Sequence, residues 1–128
     1  MKVGIVGLRS LTVGNMEDYL PKECIEIISG GAKGVDSCAA EYARTHNIRL
    51  TEILPEYKKY GKAAPIVRNK EIVEKSDLII AFWDGKSAGT KSVIEYCKKI
   101  SREYILVKKA GKYCFLDGTS VFDLNTKQ

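Results

Sequence analysis

Three short stretches of the sequence carry residue types suited to holding an anion. They are Gly7-Leu8-Arg9-Ser10, Ser29-Gly30-Gly31-Ala32-Lys33-Gly34 and Asp84-Gly85-Lys86-Ser87-Ala88-Gly89-Thr90. The last two run straight into amphipathic segments, so each reads as a loop that opens a helix. A helix N-terminus carries about half a positive charge and several unpaired N–H groups, which together attract phosphate. Glycine lets the backbone approach such an anion closely. Ser10, Ser87 and Thr90 add hydroxyls, and Arg9 brings a guanidinium able to make a two-pronged contact with phosphate. Taken singly, Gly30-Gly31 serves equally well as a tight turn, and Arg9 as a solvated charge. Their shared position after strand segments argues for one phosphate-binding site.

Other chemistries find less material. The four cysteines (Cys24, Cys38, Cys97, Cys114) contain no C-x-x-C pair, and His46 is the one histidine that could join them, so a metal centre is not supported. Cys38 and Cys97 fall on apolar stripes, where a thiol packs as a small hydrophobe. His46 stands where a helix should end and suits its terminal carbonyls. The loops match neither G-x-G-x-x-G nor G-x-x-x-x-G-K-[ST], so a standard dinucleotide motif and a P-loop are both absent, and no cofactor is implied.

The elements that must position these loops alternate almost from end to end. Lys2–Gly7, Cys24–Ser29, Ile48–Leu54, Asp77–Trp83 and Tyr104–Lys108 are apolar strand segments. Leu78-Ile79-Ile80-Ala81-Phe82-Trp83 has no polar alternation, which predicts a strand buried on both faces. Val35, Cys38, Ala39, Tyr42 and Ala43 form a helical stripe ending near His46. A second helix opens at Pro65, with Ile66, Val67, Ile72 and Val73 following, and a third runs from about Thr90 to Ser101. A short helix is predicted at Asn15–Leu20, and Lys112–Leu116 as an added edge strand before an Asp117-Gly118 turn. This order predicts one α/β domain over residues 1–128: a Rossmann-like parallel sheet of five strands in order 3-2-1-4-5, with helices on both faces. Ligands of such sheets bind beyond the carboxyl ends of the strands, where the order reverses. That crevice lies between Lys2–Gly7 and Asp77–Trp83.

Composition is that of a globular protein, 45% hydrophobic and 29% charged, and only Asn125-Thr126-Lys127-Gln128 looks like a tail. No apolar run nears the roughly 20 residues of a membrane span, and the N-terminus has no secretory pattern, so a cytoplasmic protein without membrane partners is expected. The formal net charge of +5 favours anionic partners. Lys58, Lys59, Lys62, Arg68 and Lys70 concentrate that charge locally. With no long basic run, a phosphate-bearing small molecule fits better than nucleic acid.

These residues resemble the SLOG superfamily, which includes the LOG phosphoribohydrolases and the DNA-processing protein DprA, and within it a small bacterial and phage YspA-like branch. Ser29-Gly30-Gly31-Ala32-Lys33-Gly34-Val35-Asp36 resembles that branch's Gly-Gly-Ala-x-Gly-x-Asp segment. Gly7-Leu8-Arg9-Ser10 is similar to its Gly-Ser-Arg opening, with Leu8 in place of serine. Arg68-Asn69, Ser76-Asp77 and Ser87-Ala88-Gly89-Thr90 follow the family's order of arginine, strand-leading aspartate and Gly-Thr loop. The resemblance spans roughly residues 2–108. It implies that Gly31, Gly89 and Thr90 cradle phosphate, that Arg9 and Arg68 contact ligand anions with Asn69 beside them, and that Asp36 orders its own loop.

One departure matters. The LOG loop Pro-Gly-Gly-x-Gly-Thr-x-x-Glu ends in a glutamate that works at the ribosyl carbon, and here that position is Val93. Glu95 lies two residues on, about 200° further round a helix. Nucleoside deoxyribosyltransferases, whose Asp-x-x-x-Ala-x-x-Asp-Gly … Gly-Thr stretch is similar to Asp77–Thr90, need a glutamate there too. The leading expectation is therefore a module that binds a nucleotide or nucleotide-derived ligand. The alternatives are an N-glycosidase or transferase, with Asp84 as the remaining catalytic candidate, and a DprA-like single-stranded nucleic acid binder. The sequence leaves the oligomeric state open, a homo-oligomer included.

Overall fold

A computed structural model of the chain describes residues 1–10, 12–110 and 113–116, and side chains up to residue 108. Five parallel strands, β1 (Lys2–Gly7), β2 (Glu26–Ser29), β3 (Arg49–Glu52), β4 (Leu78–Trp83) and β5 (Glu103–Ala110), stand in the order β3-β2-β1-β4-β5. A sixth, β6 (Tyr113–Leu116), adds antiparallel to β5 at the edge. The helices are α1 (Val35–Thr45), α2 (Tyr57–Tyr60), α3 (Ala64–Lys75) and α4 (Ala88–Ile100). The α/β fold and the strand order are those the sequence predicts. The Asp117-Gly118 turn and the polar tail lie outside the described residues, as does the side chain of Cys114.

The sheet separates two apolar layers, and the pleat of β4 serves both. Leu78, Ile80 and Phe82 face α1, where Val35, Ala39 and Ala43 meet them. Ile79 and Ala81 face the opposite layer, with Ile72 and Val73 of α3 and Val93, Ile94 and Cys97 of α4. Residues 78–82 are thus fully buried, and this explains the missing polar alternation. Burial pushes the Cys97 thiol up to about 11, consistent with a core thiol.

Differences from the sequence reading are local and have physical causes. The short helix expected at residues 15–20 is shorter and tighter than an α-helix. Asp18 N–H bonds to Asn15 and Tyr19 N–H to Met16, giving a single 3₁₀ turn at Met16–Asp18 before Pro21 stops it. Its apolar residues nonetheless close the α1 face, and Tyr19 meets Phe82 edge-on with ring centroids 5.3 Å apart. β2 starts at Glu26, after Ile25, which is 67% exposed and donates its N–H to the Met1 carbonyl at 3.0 Å, and β3 ends at Glu52, short of Pro55. His46 is the C-cap of α1, its Nδ1 lying 3.0 Å from the Tyr42 carbonyl oxygen. The short helix α2 was not anticipated.

Phe82 is fully buried at the junction of β4, Tyr19 and α1. Phe82→Ala is expected to lower stability by about 3–5 kcal/mol in urea unfolding. Ile66→Ala, on a side chain 48% exposed, should change it by under about 1 kcal/mol. Similar losses in both variants would contradict the layering described here.

Candidate functional site

Parallel strands deliver all their following loops to one edge, so the three glycine-bearing loops gather there. Between the ends of β1 and β4, where the strand order reverses, lies a cavity of about 410 Å³. Gly7, Arg9 and Ser10 line it from the β1 loop, and Arg68 and Asn69 from α3. Ser87, Gly89 and Thr90 close it from the start of α4.

The start of α4 is built by a local device. Asp84 Oδ1 accepts the N–H groups of Lys86 (2.8 Å) and Ser87 (2.9 Å), folding the loop so that the helix begins at Ala88, two residues before the predicted start. These bonds, Ser87's foremost, hold the exposed Asp84 carboxyl below its ordinary range. The Trp83 indole N–H donates to the Ser87 carbonyl at 2.9 Å, fixing the far side of the turn. Ser87 is the N-cap, but its side chain makes no capping bond. The first N–H groups of α4 therefore have no side-chain acceptor from their own cap. Thr90 is 5% exposed, and its hydroxyl makes no hydrogen bond to the described residues.

Arg68 reaches across the site. Its Nη1 donates to the Gly30 carbonyl at 2.7 Å and its Nε to Asn69 Oδ1 at 2.8 Å. A Cβ on residue 30 would stand 2.6 Å from Arg68 Nη1 and 3.0 Å from Asp36 Oδ2, so glycine is what admits the guanidinium. Burial lowers the pKa of Arg68, as does nearby Arg9, while Asp36 opposes both. Arginine stays charged regardless. Asp36 is the single carboxylate on the wall among the described residues, and its Oδ2 accepts the Ala32 N–H at 3.1 Å. Burial pushes its carboxyl up, against the pull of that bond and of Arg68. Arg9 is exposed and makes no hydrogen bond to the described residues.

The remaining sequence candidates have other places. Gly30, Gly31 and Gly34 lie at the same edge but do not line this cavity. Gly34 is the N-cap of α1 at φ 72°, and a Cβ there would collide with the carbonyl oxygens of Leu8 and Arg9. The Leu8 carbonyl instead accepts the Val35 N–H at 3.1 Å, which occupies one donor at the start of α1. Asp84 does not line the cavity. Val93 lines its floor with 2% exposure, while Glu95 faces outward, 4.0 Å from Lys91 Nζ. Among the described residues no group of three or more His, Cys, Asp or Glu is placed to hold a metal ion, and no helix is long and apolar enough to cross a membrane.

A second cavity of about 450 Å³ adjoins the first, with Arg68 on the wall of both. It is lined by Glu52, Leu54, Glu56, Tyr60 and Glu71 among others. The sequence reading did not single out Glu52. A carboxylate at a strand's carboxyl end, one strand on from a glycine-rich loop, is the signal that would have found it.

Comparison of the chain with family models, with curated proteins and with solved structures gives no match in any of the three.

Gly34→Ala is expected to destabilise the fold by about 2 kcal/mol or more, since alanine resists positive φ and its methyl group meets two carbonyls. Gly14→Ala is the control, because a Cβ there meets nothing within 4 Å. It should shift the urea midpoint only slightly. Equal effects would show that the α1 entry is not held this way.

Proposed function

We propose that the chain is a cytoplasmic SLOG-type domain that binds a nucleotide or nucleotide-derived phosphate ligand, holding it, as a sensor does, without cleaving its N-glycosidic bond. One observation carries this reading. Two arginines and the uncapped start of α4 converge on one cavity where the one carboxylate among the described residues bonds its own loop. Such a wall suits a multiply charged anion: N–H groups at the helix start, the free Thr90 hydroxyl, and guanidinium groups on two sides. Val6 and Val93 supply apolar surface to the same cavity, so it is not merely a surface charge cluster.

Catalysis of N-glycoside cleavage is disfavoured by the carboxylates. The reaction passes through an oxocarbenium-like state that a carboxylate near the anomeric carbon stabilises. Val93 belongs to the core, Glu95 turns outward, and Asp84 ties down its own turn.

Arg9→Ala is the cleanest test of binding, because Arg9 is exposed and supports nothing else in the fold. Affinity for nucleoside diphosphates or pyrophosphate should fall roughly 10- to 150-fold in calorimetry, the range for a charge-assisted contact. Arg68→Ala should weaken binding similarly and also cost stability, since it removes the bond to Gly30. Wild-type affinity in Arg9→Ala would refute the site.

Purified protein incubated for hours with nucleoside monophosphates is expected to release no free base above buffer. Turnover near about 1–10 per second would establish the enzyme reading instead.

A further inference from the structure

The second cavity sits beside an arrangement that neither the resemblance nor the phosphate reading uses. β2 and β3 are adjacent and parallel, joined through the glycine-rich loop and α1. Their register pairs Ser29 with Glu52, and Ile53 N–H donates to the Ser29 carbonyl at 2.8 Å. The two strands thus end side by side, one in Gly30-Gly31 and the other in a carboxylate. A Cβ placed on Gly31 would lie 3.5 Å from Glu52 Oε2 and 2.5 Å from Leu54 Cδ2. The Glu52 carboxylate and the Leu54 side chain thus both stand at the side of Gly31 that a Cβ would occupy.

Nothing in the fold uses that carboxylate. Glu52 is exposed and makes no hydrogen bond or ion pair among the described residues. Of the other acids of the cavity, Glu71 is paired, whereas Glu56, like Glu52, has no side-chain hydrogen bond or ion pair among the described residues but is set further along the chain. Glu71 pairs with Lys75 at 2.9 Å, and Glu56 lies beyond Pro55 at the start of α2. Leu54, 61% exposed, and Tyr60, 37% exposed, leave apolar and aromatic surface next to Glu52.

We propose that the ligand is a ribonucleoside diphosphate or an ester of one, with its ribose hydroxyls donating to Glu52 and its phosphates passing Gly31 and Arg68 to the Arg9–Thr90 cavity. This rests on the phosphate reading of the first cavity and adds the orientation and the sugar specificity. A vicinal diol presents two donors, and an ionised carboxylate accepts both, a pairing that α/β folds use at the end of a strand following a glycine-rich turn. Arg68 lines both cavities, so an anion engaging it lies between the two. Its Nη1 and Nε are occupied by Gly30 and Asn69, and its Nη2 makes no hydrogen bond to the described residues. The base then rests on Leu54 and Tyr60, surfaces suited to stacking without strong selection among bases.

The test is calorimetry with the four ribonucleoside diphosphates, their 2′-deoxy counterparts and pyrophosphate, on wild type, Glu52→Gln, Glu56→Gln and Arg9→Ala. In wild type at least one ribonucleotide should bind about tenfold or more tighter than its 2′-deoxy form. That ratio should collapse toward one in Glu52→Gln, persist in Glu56→Gln, and leave pyrophosphate affinity the same in both. Equal affinity for ribo and deoxy forms in wild type, or a ratio that survives Glu52→Gln, overturns the inference. If binding still weakens in Arg9→Ala, the phosphate site stands without it. Absence of binding by every diphosphate and by pyrophosphate overturns both.

Discussion

Burial of β1 and β4 on both faces is the constraint from which the rest of the molecule follows. Neither strand can carry chemistry, because each residue of their centres points into one apolar layer or the other. Parallel pairing of these strands requires each connection to cross over the sheet, and the crossovers from β2 to β3 and from β4 to β5 are helices that start at the same edge. Polar and glycine-rich residues are thereby concentrated at the carboxyl edge, outside the core. The reversal of strand order between β1 and β4 then opens a crevice that no crossover covers.

Within that edge, the Arg68–Gly30 hydrogen bond fastens two elements that the sheet alone leaves independent. It joins α3, which packs on one face, to the loop leading into α1, which packs on the other. The same side chain forms a wall between two cavities of different character, one bordered by arginines and the other by glutamates. Glycine at residue 30 is required twice over, by the nearness of the guanidinium and of the Asp36 carboxylate. A side chain there would displace both charged groups.

The fold was legible because its signals are long and redundant. The six-residue apolar run of β4 and the nine-residue span from Val35 to Ala43 each specify an element and its buried face. The short helix predicted at residues 15–20 shrank to Met16–Asp18 because three apolar residues at helical spacing also satisfy a single 3₁₀ turn followed by proline. The site was legible in part. Gly7, Arg9, Ser87, Gly89 and Thr90 come together because they immediately follow β1 and β4, whose adjacency follows from the strand order. Arg68 offered no local signal, since an arginine on a helix usually faces solvent and its reach to Gly30 is a contact 38 residues apart in sequence. Glu52 is marked in the sequence only by its place at the end of the strand after the glycine-rich loop, and its nearness to Gly31 comes from the register of β2 against β3.

A half-buried guanidinium is costly unless something accepts its hydrogen bonds and offsets its charge. For Arg68 the hydrogen bonds are met in part by a carbonyl and an amide, both neutral. Its nearest opposite charge, Asp36, is itself pushed up by burial and turned to the Ala32 N–H, while Arg9 adds a like charge. Folding alone gives no reason for this excess of positive charge, since apolar residues of similar size would fill the crevice without it. The anion proposed above would supply the missing term, accepting from the guanidinium groups and from the open start of α4 at once. Tension of this kind is characteristic of ligand sites, where stability is given up locally for affinity. It supports reading the crevice as a place for phosphate, independently of any resemblance in the sequence.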